Sequence, residues 1–143
     1  MGTTIDMQFM RYINLFSKVC RVSTTKCFMY NNQIVFAVPK GQVSFAIGKD
    51  AVNVKRLRDT LRKKIKVIAM PAKDDDEGII TFIKDLVSPV EFTGVEIKDS
   101  GVTVTAGRQN KAALIGRNRV REKELLDILK NHFGFSKVKI LIF

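Results

Sequence analysis

The chain is 143 residues long and carries 25 Lys and Arg against 14 Asp and Glu, a formal charge of +11, with one histidine. A hydrophobic fraction of 45% and a charged fraction of 27% are those of a packed protein and exclude long disorder as its main state. No window approaches the ~18 consecutive apolar residues of a membrane span, and the first residues lack the uninterrupted apolar stretch of a signal peptide, so a cytoplasmic location is expected.

The first predicted element is a helix. Ile5, Phe9, Ile13 and Phe16 fall four, four and three residues apart, on one helical face, and Thr3 with Asp6 resembles a capping start. Lys26–Tyr30 and Gln33–Val38 are rich in strand formers, with Asn31-Asn32 as a tight turn between them. Pro39-Lys40-Gly41 ends the second strand. Val43 and Ile47 mark a short helix that Gly48 breaks; Val54, Leu57 and Leu61 mark the core stripe of the next helix, and 64–70 closes as a strand. Asp74, Asp75, Asp76 and Glu77 then sit where a helix dipole favours acids, and Ile79, Ile83, Leu86 and Val87 give that helix its apolar face up to Pro89. A hairpin over 90–97 and 102–106 turns at Asp99-Ser100-Gly101. A short helix at 111–115, a longer one at Val120–Phe133 and a strand at 138–143 complete the chain.

The order of the first half is therefore repeated in the second. At an offset of 68, Ile47-Gly48-Lys49 meets Ile115-Gly116-Arg117, Leu57 meets Leu125, Asp59 meets Asp127 and Leu61 meets Leu129. The closing strands match at an offset of 73, which puts five extra residues around His132 to Ser136 in the second copy. Strand, loop, helix and strand agreeing in order argue for a tandem repeat, with domains at 1–72 and 73–143. A copy of ~70 residues is marginal alone, so a fixed pair is expected.

Charge follows the repeat. Residues 40–70 carry +7, residues 108–124 carry +4, and residues 71–100 between them carry −5. Two basic blocks suit an acidic partner, nucleic acid before an anionic membrane surface. Each block contains Ile-Gly-basic-x-x-Val between two helices. The glycine lets another backbone approach, and the next helix offers unpaired N–H groups and a partial positive charge to a phosphate. Lys49 and Arg117 add full charges, and Ile47 and Ile115 can floor a groove for bases. Lys55, Arg58 and Arg62, three and four residues apart, form a cationic ridge growing from the first loop, with Asp59 as its neighbouring acid. Phe45 could stack on a base, but burial is the commoner fate of a phenylalanine.

Other chemistry is not supported. Cys20, Cys27 and His132 supply at most three ligands where a structural zinc needs about four, so no metal and no cofactor are expected. The cysteines are expected to be reduced, buried thiols, and His132 a surface or capping residue near a helix end. No catalytic triad, Walker loop or dinucleotide fingerprint is present, so no catalytic residue, no small-molecule substrate and no enzyme are expected.

At Ile47-Gly48-Lys49-Asp50-Ala51-Val52 and Ile115-Gly116-Arg117-Asn118-Arg119-Val120 the chain resembles the KH family, whose signature is a GXXG loop between short helices. The order of elements resembles its type II form. With the tandem arrangement and the run Asn53-Val54-Lys55-Arg56-Leu57, nearly the whole chain is similar to the archaeal NusA transcription factors. The resemblance implies an α+β fold of two tandem type II KH domains. Each would run helix-strand-strand-helix-helix-strand, its helices packed on one face of a three-stranded sheet. It implies single-stranded RNA as partner, RNA polymerase as a further one, and a role in termination or elongation on nascent transcripts. The RNA-binding residues it points to are Ile47, Gly48, Lys49, Asp50 and Ala51 with the ridge Lys55, Arg58 and Arg62, and Ile115, Gly116, Arg117, Asn118 and Arg119. The last GXXG glycine is Ala51 in one loop and Arg119 in the other. Alanine is tolerable if that residue is already helical; arginine either contacts phosphate or blocks the approach. The alternatives are a protein-docking KH module with weak RNA affinity and a helix-turn-helix DNA reader.

Overall fold

The computed structural model describes residues 3–142, with side chains from Met7 onward. The predicted capping pair Thr3 and Asp6, the side chain of Ile5 and the terminal Phe143 lie outside what is described. The elements run α1 (Thr3–Cys20), β1 (Lys26–Tyr30), β2 (Gln33–Val38), α2 (Val43–Ile47), α3 (Val52–Leu61) and β3 (Lys64–Ala69). They continue as α4 (Asp76–Val87), β4 (Gly94–Lys98), β5 (Gly101–Ala106), α5 (Arg108–Ile115), α6 (Val120–Phe133) and β6 (Lys137–Ile142). The chain divides after Met70 into two compact units. Both are α+β and KH-like, with three helices and a three-stranded sheet each.

In each sheet the hairpin strands pair antiparallel and the closing strand joins the middle one in parallel, in the orders β1-β2-β3 and β4-β5-β6. Each hairpin turns on two residues of positive φ, Asn31 and Asn32 (52° and 60°) and Asp99 and Ser100 (51° and 60°). Such turns match the right-handed twist of the strands they join. The registers repeat as well. Lys26 faces Ala37 and Gly94 faces Thr105, while Val38 faces Ala69 and Ala106 faces Ile142. A parallel pair needs a crossover, and here the crossover is the helix-loop-helix that carries the basic motif.

The core of the first unit lies between α1, α2 and α3 and the sheet. Phe16 stacks on Phe36 at 4.3 Å between ring centroids, among Cys20, Val22, Ile34, Val38, Ala46 and Leu57. In the second unit Ile79, Phe82, Ile83 and Leu86 of α4 are buried, as are Leu125, Ile128 and Leu129 of α6. Asp75 caps α4, its carboxylate accepting from the Gly78 N–H at 2.9 Å. The five extra residues make α6 four residues longer than α3 and the loop after it one residue longer. The added turn carries Phe133, whose ring meets Phe82 edge-on at 5.2 Å.

Three local expectations need correction. Val54 is only half-buried and lies outside the core cluster; Leu61 reaches the cluster but is not enclosed, so Leu57 alone of the predicted stripe is fully buried. The strand expected over 90–97 begins at Gly94. Pro89 has no N–H and Val90 donates to Val87 O at 3.0 Å, so this stretch turns before pairing starts. α5 begins at Arg108 rather than Lys111, because the Gly107 carbonyl already accepts from the Lys111 N–H at 2.7 Å.

Candidate nucleic-acid interface

The two motifs fold alike. α2 stops at Gly48, whose N–H donates to Ser44 O at 3.0 Å; α5 stops at Gly116, whose N–H donates to Ala112 O at 2.9 Å. Gly48 lies at φ 82°, ψ 166° and Gly116 at φ 75°, ψ 171°, a region open essentially to glycine alone. Space agrees with conformation. A Cβ on Gly48 would stand 2.9 Å from Asn53 Nδ2 and 3.0 Å from Val52 Cγ1. A Cβ on Gly116 would stand 2.9 Å from the backbone nitrogen of Arg121, which cannot swing aside.

A tight turn follows in each loop, with Ala51 N–H on Gly48 O at 3.1 Å and Arg119 N–H on Gly116 O at 3.2 Å. Its last two residues are both left-handed, Asp50 and Ala51 at φ 55° and 58°, Asn118 and Arg119 at 55° and 61°. The condition set for a tolerable alanine, that Ala51 be already helical, is therefore not met. The fourth loop position adopts the left-handed conformation, and α3 starts only at Val52. Neither Ala51 nor Arg119 supplies a side-chain cap to the helix it precedes. Each helix therefore starts without a side-chain cap from the residue before it and beside a loop cation, Lys49 or Arg117.

The surroundings of the two loops differ. In the first unit Lys49 and Asp50 are exposed at the loop, and Lys55, Arg58 and Arg62 are exposed along α3 and its end. Asp59 forms an ion pair with none of these cations. Asn53 ties the motif together, donating from Nδ2 to Ala46 O at 3.1 Å. In the second unit Arg119 is held by Glu122 at 3.0 Å, and Arg121, which stands where the first unit has Asn53, is held by Glu124. Leu126 replaces Arg58, and Glu122 and Glu124 stand where the first unit has Val54 and Arg56. Ile47 and Ile115 are half-buried before their loops, and Arg117 and Asn118 are exposed.

Phe45 overturns the expectation of burial: it is 62% exposed. The signal lies in the helical wheel. Val43, Ala46 and Ile47 share one side of α2, and at about 100° per residue Phe45 falls nearly opposite them. Val52 and Val120, the first residues after each loop, are also exposed. The second unit has Ala113 in place of Phe45.

Cys20 and Cys27 are both free. Burial pushes the Cys20 thiol up to about 11 and that of Cys27 up to about 12. Among the described residues no group of three or more His, Cys, Asp and Glu could hold a metal, and no helix is long and apolar enough to cross a membrane.

No family model matches the chain. It is similar to proteins named probable transcription termination protein NusA from three archaea. Identity is 28% to that of Methanocaldococcus jannaschii, covering 91% of this chain and 70% of that one. It is 29% to that of Methanococcus vannielii, covering 90% and 74%. It is 25% to that of Halococcus morrhuae, covering 98% and 99%. The crystal structure of APE1850 superposes with a TM-score of 0.64 at 28% identity, over 94% of this chain and 98% of that one.

Proposed function

We propose that this chain, similar along most of its length to archaeal NusA-type termination proteins, binds single-stranded nascent RNA and acts in transcription termination or elongation, in the cytoplasm and without catalysis. Each unit, taken as 1–72 and 73–143, works as one KH domain. The observation that carries this reading is the first loop. Gly48 keeps the backbone open to approach, the uncapped start of α3 lies behind it, and Lys49, Lys55, Arg58 and Arg62 are all exposed and free of ion pairs. A phosphodiester backbone is the ligand such an arrangement suits.

The second loop shares the geometry and is the weaker site. Arg119 leans back to Glu122, so its charge is partly met within the unit, and the ridge of α3 has no full counterpart on α6. Contact with RNA polymerase is part of the proposal on the strength of the resemblance to NusA transcription factors. The helix-turn-helix alternative is disfavoured because both helices are held in the crossover of a parallel strand pair.

The test is fluorescence anisotropy with single-stranded RNA across a salt series. Affinity is expected to fall with salt, with a slope of about −0.7 per phosphate contacted. Gly48→Asp, and Lys49→Glu at an exposed position that leaves the fold intact, are both expected to weaken binding. No binding at low salt, unchanged binding by Lys49→Glu, or tighter binding to duplex DNA overturns the reading.

A further inference from the structure

α3 carries the loop at its N-terminus and a second basic feature at its other end. Arg58, Arg62, Lys63 and Lys64, with Asp59 as the single acid, line an open concavity of about 490 Å³ where the helix turns into β3. All five side chains are exposed, and no ion pair neutralises them. One or two cations in a last helical turn complement the helix dipole. Lys63 and Lys64 lie beyond the helix, so the dipole does not account for them. Arg62 is held at φ 59°, but Arg21 closes α1 in the same way at 58°, so the gathering of four cations marks the place rather than the conformation. The second unit has no such cluster: Leu126 replaces Arg58, and α6 runs on to Phe133 before Gly134, Phe135 and Ser136.

We infer that this concavity is a second phosphate site of the first unit, taking the backbone of the same RNA strand that lies on the Gly48 loop; the inference rests on the RNA reading above. The ten residues of α3, at about 1.5 Å each, separate the two ends by about 15 Å. A KH loop holds about four nucleotides; on this inference those four lie in the groove of the loop, and the nucleotides that follow reach the concavity. The first unit then reads length as well as loop fit: a short strand fills the loop alone, and a longer one fills both.

The full chain is titrated with labelled oligouridylates of about four and about twelve nucleotides, at several salt concentrations. The variants are Lys63→Gln with Lys64→Gln and, as a control for net charge, Lys137→Gln with Lys139→Gln; all four positions are exposed. The first pair is expected to weaken the longer RNA by about tenfold at low salt, with a slope shallower by about 0.7 for every phosphate no longer neutralised, and to leave the shorter RNA unchanged. The control pair is expected to change neither. Three results overturn the inference alone: equal weakening for both lengths, equal weakening by the control pair, or a native chain that binds the longer RNA no more tightly than the shorter. A native chain that binds neither RNA defeats the RNA reading, and this inference with it.

Discussion

Ala51 and Gly48 carry opposite relations to the loop that holds them. A left-handed conformation costs an L-residue about 1–2 kcal/mol, and a glycine there gives back about 0.5–1 kcal/mol through its freer unfolded chain. Ala51→Gly is therefore expected to raise stability by about 0.5–1 kcal/mol in urea unfolding. A loss would show that Ala51 is not left-handed in solution. Gly48→Ala is expected to cost about 1–3 kcal/mol by the same measurement, because its backbone region excludes a side chain. Phe45 belongs to this scale too. Being 62% exposed, it can be truncated without disturbing the core. Phe45→Ala is expected to leave the unfolding midpoint in place and to weaken RNA binding by about 1–3 kcal/mol, the worth of one stacked base. Unchanged affinity would assign the ring no part in binding. Both residues show where the sequence is legible and where it is not. The wheel of α2 holds the exposure of Phe45, but a general preference for buried phenylalanine outweighs it. The conformation of Ala51 depends on how the Gly48 turn closes, which no periodicity records.

Elements are more readable than residues, because most are fixed by local patterns. The Asn31-Asn32 turn, the break at Gly48 and the bounds of Val120–Phe133 follow from spacing and turn chemistry, whereas Gly101, read as part of the second turn, pairs with Lys98 as the first residue of β5. The start of β4 escapes such reading because Val90, Glu91 and Phe92 have strand-like composition, while Pro89 and the Val90–Val87 hydrogen bond hold the segment in a turn. Val54 escapes it because the entry of α3 sits at the loop, where the helix face opens toward solvent. At α4 the sequence places acids by the helix dipole, and the structure makes one of them, Asp75, a hydrogen-bonding cap. Asp75→Ala is expected to cost about 0.5–2 kcal/mol of stability in denaturant unfolding, and Asp75→Asn to retain most of it. Equal loss in both would locate the effect in the charge rather than the hydrogen bond.

At the scale of the whole molecule, the +11 charge resolves into a first unit whose loop and ridge cations are free and a second in which Arg119 of the loop and Arg121 at the start of α6 lean on glutamates. The repeat itself is legible, since equal offsets in sequence become equal registers in two sheets. The inequality is legible in part: blocks of +7 and +4 and Arg119 at the last GXXG position favour the first loop, while the pairing of Arg119 with Glu122 and of Arg121 with Glu124 is not written in them. The two thiols set a further property of the full chain. Burial raises them from 9.0 to about 11 and about 12, so their stabilisation is complete below pH 9.0 and is lost as pH rises through those higher values. Thermal unfolding followed against pH is expected to show a falling midpoint on that alkaline side, smaller in Cys27→Ala. An undiminished fall in that variant would trace it to other groups.

The shared registers have an engineering consequence. Residues 48–62 and 116–130 span the same length and leave from equivalent points, Ile47 and Ile115, on crossovers anchored alike. They match in length but not in core chemistry, since buried Ile128 stands where the first unit has exposed Thr60, so an exchange keeps Ile128. With that residue kept, transplanting 48–62 into the second unit should need no added or deleted residue, and would give one polypeptide two loops of the stronger kind.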